Sequence, residues 1–247
     1  MFTFQNKNQY FLFADEVGQE GVNAEQAAQF FNPQYWQQQN RVIGSAQGRG
    51  TTYFLATEDL FGVNTALRHY YRGGLWGKIN RDYYSFTGLE KTRSFAEFLL
   101  LERLHQAGLA VPKPIAAKVE KTVFGYRADL LTQRIEDAKD LTDLLQHQEL
   151  SEQAWQNIGK LIGQLHKEQI CHTDLNAHNI LVQNFGQNNE SYWLLDFDKC
   201  GERAGQAWKQ ENLARLHRSF IKEVGRMNIS FNKDCWQSLL KGYDFIK

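Results

Sequence analysis

The stretch Cys171-His172-Thr173-Asp174-Leu175-Asn176-Ala177-His178-Asn179 constrains this chain more than any other. It is polar, and it runs straight into the apolar triplet Ile180-Leu181-Val182. Upstream, Ser151 is a good N-cap for a helix reaching Lys167, with Trp155, Ile158, Leu161, Ile162 and Leu165 falling on one face at helical spacing. Downstream, 180–182 and 192–195 flank a polar turn around Asn188-Asn189, the pattern of a β-hairpin. The hairpin exit delivers Asp196-Phe197-Asp198. A fold for this chain must therefore set H-x-D-x-x-x-x-N between a helix and a hairpin, with further carboxylates where the hairpin ends.

The remaining pattern divides in two. The opening residues read as one short strand in polar flanks, and 24–39 begin as a helix and become glutamine-rich and irregular. Arg41-Val42-Ile43 and 51–55 read as strands joined by the glycine-rich Gly44-Ser45-Ala46-Gln47-Gly48-Arg49-Gly50, and a third strand spans 63–67. A helix over Arg93–Gln106 follows, with Phe95, Phe98, Leu99, Leu101 and Leu104 apolar and Gly108 as its stop. Pro112 and Pro114 force extended chain, and strands are expected at 116–123 and 127–135. The second half is mostly helical, and Leu213, Leu216, Phe220 and Val224 mark a last amphipathic helix. The expected fold class is α+β: a β-rich lobe with one main helix over 1–136, and a mostly helical lobe over 137–247, within one domain.

Composition removes several classes. Lys+Arg and Asp+Glu both number 28, so no basic excess favours general nucleic-acid binding. The 3 cysteines are scattered without C-x-x-C, which excludes a disulfide framework or cysteine-rich zinc site and fits a reducing compartment. No run of 18 apolar residues is present, and the N-terminus lacks the pattern of a signal peptide.

The central motif with its context resembles the catalytic loop and metal-binding segment of the protein-kinase-like superfamily. Phosphoryl transfer leaves a protein mainly positioning and charge neutralisation to perform. Asp174 would orient or accept the proton of an attacking hydroxyl, and His172 would brace the loop. Asn179 and Asp196 would offer oxygen ligands to Mg²⁺ bound with ATP. Gly48 and Gly50 would let backbone N–H groups approach phosphates. Arg68, on the third strand, would stand where this superfamily usually has lysine and would pair with a helix glutamate: Glu97, with Glu102 as competitor. Ile135 joins the expected nucleotide contacts. Asn176 stands where eukaryotic protein kinases place lysine, and all three prolines precede the loop, so no A-P-E platform follows it.

A closer resemblance is to the lipopolysaccharide-core kinase family, carried by residues 48–55, 66–79, 92–117, 172–182, 194–200 and 211–223. It implies ATP-dependent, Mg²⁺-assisted phosphorylation of a 3-deoxy-D-manno-octulosonic acid (Kdo) sugar, at its 4-hydroxyl, on a lipid A precursor. It also implies a peripheral enzyme at the cytoplasmic face of the inner membrane. From Arg68 to Arg81 lie four cations without a counter-charge, Arg68, Arg72, Lys78 and Arg81, with Tyr70, Tyr71 and Trp76 interleaved, and with Tyr83 and Tyr84 they make 68–84 the expected docking segment. Such a mixture suits an anionic membrane surface, and equally a solvated basic loop. Two other readings stay open: a soluble small-molecule kinase of the aminoglycoside or choline type, and a pseudokinase that binds nucleotide without transfer.

Overall fold

The computed structural model describes residues 1–15, 17, 22–48, 50–72 and 82–246. Its chain divides into two compact units, Met1–Glu102 with Lys113–Arg134, and Arg103–Pro112 with Ile135–Lys247.

The first unit is built on a seven-stranded antiparallel sheet. Its strands are β1 (Phe2–Asn6), β2 (Gln9–Phe13), β3 (Val42–Gln47), β4 (Thr51–Leu55), β5 (Thr65–His69), β6 (Pro114–Thr122) and β7 (Gly125–Gln133), in the order β1-β2-β6-β7-β5-β4-β3. The opening segment is thus a hairpin rather than one strand. Phe2 and Phe4 on β1 stack on Phe13 and Phe11 of β2, with centroids 5.2 and 4.9 Å apart, so cross-strand aromatic pairs hold the edge. Helices α1 (Ala24–Phe30) and α2 (Pro33–Gln38) follow. The second replaces the expected irregular stretch. Asn32 caps it, Pro33 fills its first turn, and Trp36 is fully buried with its indole N–H on the carbonyl of Phe30 at 2.9 Å. One deeply packed aromatic outweighs the neutral glutamines around it. The short helix α3 (Glu58–Phe61) precedes β5. Helix α4 (Arg93–Gln106) has the expected bounds, and the Ser94 hydroxyl donates to the Lys118 carbonyl on β6 at 2.9 Å.

The second unit holds β8 (Ala138–Asp140), α5 (Leu141–Leu145), α6 (Glu152–Lys167), β9 (Ile170–Cys171), β10 (Ile180–Gln183), β11 (Ser191–Leu194), β12 (Gly201–Glu202), α7 (Ala207–Met227) and α8 (Lys233–Asp244). The expected hairpin is β10–β11, in register Ile180↔Leu194, and β8 pairs along its other edge. The amphipathic helix through Phe220 is not the last one. Asn228 ends α7 in a left-handed conformation (φ 53°), and Asn232 caps α8.

Helices α6 and α8 meet at glycines. A Cβ on Gly159 would lie 1.9 Å from the Leu239 carbonyl oxygen, and one on Gly242 would lie 1.9 Å from that of Gln156. Contact between backbones lets a buried hydrogen-bond chain cross the helices. The Asn212 amide of α7 donates to the His172 carbonyl at 2.8 Å, so its oxygen accepts from His166 Nε2–H at 3.0 Å. His166 Nδ1 therefore accepts the Tyr243 hydroxyl of α8 at 2.9 Å. Burial outweighs the Asn212 contact and pushes the His166 pKa from 6.5 down to about 4, so the ring is neutral.

Two outcomes follow from this packing. Gly242→Ala should lower unfolding free energy by about 1–3 kcal/mol in denaturant titration, because a methyl cannot enter the seam without moving backbone. The wild-type unfolding free energy should also fall as pH drops from 6.5 towards about 4, since the unfolded imidazole takes a proton that folded His166 refuses. His166→Gln should show a shallower slope across that window.

Candidate active site

In the first unit, Arg68 and Glu97 are brought together. Arg68 projects from β5, between Thr52 on β4 and Leu130 on β7. Its Nη2 lies 2.6 Å from both carboxylate oxygens of Glu97 on α4. The Tyr70 hydroxyl donates to the same carboxylate at 2.6 Å, and the guanidinium carbon lies 4.8 Å from the Tyr70 ring centroid. Glu97 is buried and Arg68 partly exposed, so the ion pair keeps a charged edge accessible. Glu102 does not take this place.

The β3–β4 turn contains Gly48 and Gly50, with the Gly48 N–H donating to the Gly50 carbonyl at 2.9 Å. A Cβ on Gly50 would sit 2.2 Å from the Tyr71 ring, so packing alone already requires glycine there. Gly48 has room for a side chain. Arg49 lies outside the described residues, as do 73–81, which include Trp76, Lys78 and Arg81. The described ends of the expected docking segment turn onto the unit itself. Arg68 pairs with Glu97, Arg72 Nε donates to the Tyr83 carbonyl at 2.5 Å, and guanidiniums of Arg93 and Arg127 lie over Tyr84 and Tyr83 at 4.5 and 4.4 Å. The notion of four cations lacking a counter-charge therefore fails at Arg68.

In the second unit, Ile135 is buried just beyond β7. The motif loop runs from β9 to β10 and closes with a 3-10 turn over Ala177–Asn179. Asn176 shapes it from within. Its side-chain oxygen accepts from the N–H groups of His178 and Asn179 at 2.9 and 3.2 Å, and its amide donates to the Asp174 carbonyl at 2.9 Å. The Asn179 amide donates to that same carbonyl at 2.9 Å, so its Oδ1 is not spent on this contact. Fully buried His172 donates from Nε2 to the Leu195 carbonyl at 2.9 Å and meets the Phe197 ring edge-on at 4.9 Å. Burial holds its pKa low, against the pull of the Leu195 carbonyl and of Asp196 and Asp174. The Leu195 N–H in turn donates to the Asn179 carbonyl at 2.9 Å. Leu195 is thus held by the motif loop at both its polar atoms, and Asp196 follows in a left-handed conformation (φ 61°).

Sequence reasoning missed the support supplied by α7. Asn212, Arg215, Ser219 and Glu223 recur at helical spacing and all face the loop. Asn212 bonds the His172 carbonyl, and Ser219 Oγ accepts the Ala177 N–H at 3.0 Å. Glu223 lies 3.7 Å from His178 Nε2. Arg215 Nη2 binds Asp174 Oδ1 at 2.5 Å, both side chains being partly exposed. The signal was the polar i, i+3, i+7, i+11 stripe on a helix otherwise read for its apolar face. His178 contacts Thr142 at 2.8 Å and Asp140 at 3.0 Å, so it ties the loop to the start of α5.

Among the described residues no group of three or more His, Cys, Asp or Glu side chains forms a self-sufficient metal centre. The pair Asn179 Oδ1 and Asp196 carboxylate suits a hard cation that draws its other ligands from phosphate and water, as Mg²⁺ does.

Known proteins match this architecture. The model of the lipopolysaccharide kinase (Kdo/WaaP) family matches residues 33–243. A 3-deoxy-D-manno-octulosonic acid kinase from Actinobacillus succinogenes is 67% identical over 215 residues, 87% of this chain and 89% of the relative. One from Mannheimia succiniciproducens is 62% identical over 245 residues, covering 98% of this chain and 99% of its own length. A solved structure of WaaP in complex with acyl carrier protein superposes with a TM-score of 0.56 at 14% identity, covering 84% of this chain and 80% of that one, which supports the protein-kinase-like fold. From its motif loop, its β-rich and helical units and these relatives, the chain belongs to the Kdo/WaaP family of lipopolysaccharide kinases.

Proposed function

We propose that this protein transfers the γ-phosphate of ATP to the 4-hydroxyl of a Kdo sugar on a lipid A precursor, working peripherally at the cytoplasmic face of the inner membrane. The observation that carries the reading is the motif loop: the Asp174 carboxylate stays partly exposed while its backbone carbonyl is tied down by Asn176 and Asn179. Asp174 receives or orients the hydroxyl proton as the acceptor oxygen attacks phosphorus. An oxygen–phosphorus bond forms, the bond to the bridging oxygen of ADP breaks, and ADP leaves. His172 contributes by holding Leu195, and so the start of the Asp196 segment, rather than by touching substrate.

Arg215 supports an acidic acceptor. One of its nitrogens holds Asp174, and the half-exposed remainder of the guanidinium offers a carboxylate a counter-charge beside the attacking oxygen. In this reading the first unit binds nucleotide, with Gly48, Gly50 and the Arg68–Glu97 pair on the phosphate side, and Ile135 makes an apolar contact. Asn179 and Asp196 would hold Mg²⁺, which supplies charge neutralisation on the phosphates. Arg68 replaces lysine without loss of charge, and its bond to buried Glu97 supports an active enzyme over a pseudokinase.

The direct test incubates the protein with labelled ATP, Mg²⁺ and Kdo-bearing lipid A precursor and locates the label on the sugar. Asp174→Asn should retain nucleotide binding while transfer falls by about 10²–10⁴; transfer at the wild-type rate would remove Asp174 from its role. Arg68→Ala and Glu97→Ala should each lower kcat/KM, with the double variant little worse than either. Independent, additive losses would show that the pair does not act as a unit.

A further inference from the structure

The turn of the β6–β7 hairpin carries two side chains that the fold does not use. Thr122 pairs with Gly125, which leaves Val123 and Phe124 as a two-residue connection. Neither residue takes a left-handed backbone; Gly125, at φ 149°, carries the unusual conformation of the turn, so Val123 and Phe124 sit there without backbone strain. Here two large apolar side chains stand 93% and 91% exposed, the most exposed of the large hydrophobic residues described. Neither stabilises the turn, and neither packs against the sheet. Two neighbouring large apolar side chains held out in solvent, with no contact inside the fold, point to a function outside it.

The surroundings say what that function is. The β1–β2 turn lies at the same end of the sheet, fastened to this hairpin by two bonds of 2.8 Å: Lys121 N–H to the Asn8 carbonyl, and the Asn8 amide to the Lys121 carbonyl. That brings exposed Lys7 and exposed Lys121 beside the apolar tip. Phe86 joins them, with Lys121 Nζ 4.6 Å from its ring centroid. The nearest acid on the strand, Glu120, is engaged by Lys118 at 3.7 Å. An apolar point ringed by lysines and an aromatic is the chemistry of a bilayer interface: hydrocarbon for the tip and anionic headgroups for the cations. Two side chains are too few for a stable protein interface, which buries about 800 Å² per partner.

We propose that Val123 and Phe124 insert into an anionic lipid surface and that Lys7 and Lys121 hold the headgroups around them, making this hairpin the reversible anchor of the enzyme. The inference rests on the reading that the acceptor is a membrane glycolipid, and it names the surface that reaches it. It also gives the expected docking segment a neighbour: Tyr84, at the end of that segment, pairs with Tyr126 one residue beyond Gly125.

The test uses the full chain and sedimentation with vesicles of phosphatidylethanolamine and phosphatidylglycerol. Val123→Asn with Phe124→Gly installs a favoured two-residue turn, so the hairpin stays formed while the anchor is lost. Vesicle binding should fall roughly tenfold or more. Lys7→Glu with Lys121→Glu should weaken binding and flatten its salt dependence. On a deacylated, water-soluble Kdo acceptor the turn variant should match wild type in kcat and KM, and on vesicle-embedded acceptor its KM alone should rise about tenfold. Equal vesicle binding by variant and wild type would overturn the proposal. So would a change in molar mass by light scattering with vesicle binding unaltered, which would assign the tip to self-association. Failure of wild type to phosphorylate either acceptor would sink the kinase reading instead, and vesicle binding would still decide the anchor.

Discussion

Leu195 is the residue on which the catalytic unit depends. Its carbonyl accepts from buried His172 and its N–H donates to Asn179, both in the motif loop. Two hydrogen bonds to one residue leave the following residue little freedom. Asp196 follows in a left-handed backbone geometry that aspartate tolerates better than most residues. Asn179 serves twice, since its backbone carbonyl holds Leu195 while its side-chain amide holds the Asp174 carbonyl. The residues proposed to orient a hydroxyl and to bind a cation are thus joined by short hydrogen bonds in which main-chain atoms of Asp174, Asn179 and Leu195 take part.

Behind this loop stands a polar layer that would be costly if it were incomplete. His172, His166 and Asn212 are buried, and each unmet donor or acceptor among them would cost about 1–3 kcal/mol. The chain from Tyr243 through His166 and Asn212 to the His172 carbonyl satisfies both ring nitrogens of His166 and the Asn212 amide and admits one tautomer of His166, while His172 Nδ1 is left without a partner. The glycine seam between α6 and α8 brings Tyr243 close enough to join it. Apolar burial supplies most of the stability of this unit, and the polar chain selects one loop conformation from the many that an apolar core alone would tolerate.

The parts legible in the sequence were those in which residue type and spacing carry the physics directly. H-x-D-x-x-x-x-N, the β10–β11 hairpin and the apolar period of α4 and α6 needed no tertiary knowledge. Glu97 was expected ahead of Glu102 as the partner of Arg68, and the structure puts Arg68 against it. Other features were hidden for identifiable reasons. Helix α2 sits among glutamines whose propensity says little, and only the burial of Trp36 decides it. The β1–β2 hairpin turns on Lys7 in a left-handed conformation, without the glycine that would have marked it. Arg215 is an ordinary surface arginine until α7 is laid against the loop, 41 residues from its partner. A contact of that separation leaves no local trace.

The reach of α8 into the catalytic loop bears on how shortened or rearranged members of such a family are judged. A gene copy interrupted after Met227 would still encode every residue of the motif loop and the Asp196 segment, and a motif search would score it intact. Its His166 would nonetheless face a vacated helix seam without the Tyr243 hydroxyl, and the hydrogen-bond chain fixing the His172 carbonyl would end in solvent. Integrity of the enzyme is therefore recorded as much by a tyrosine and two glycines near the C-terminal helix as by the acids that perform the chemistry.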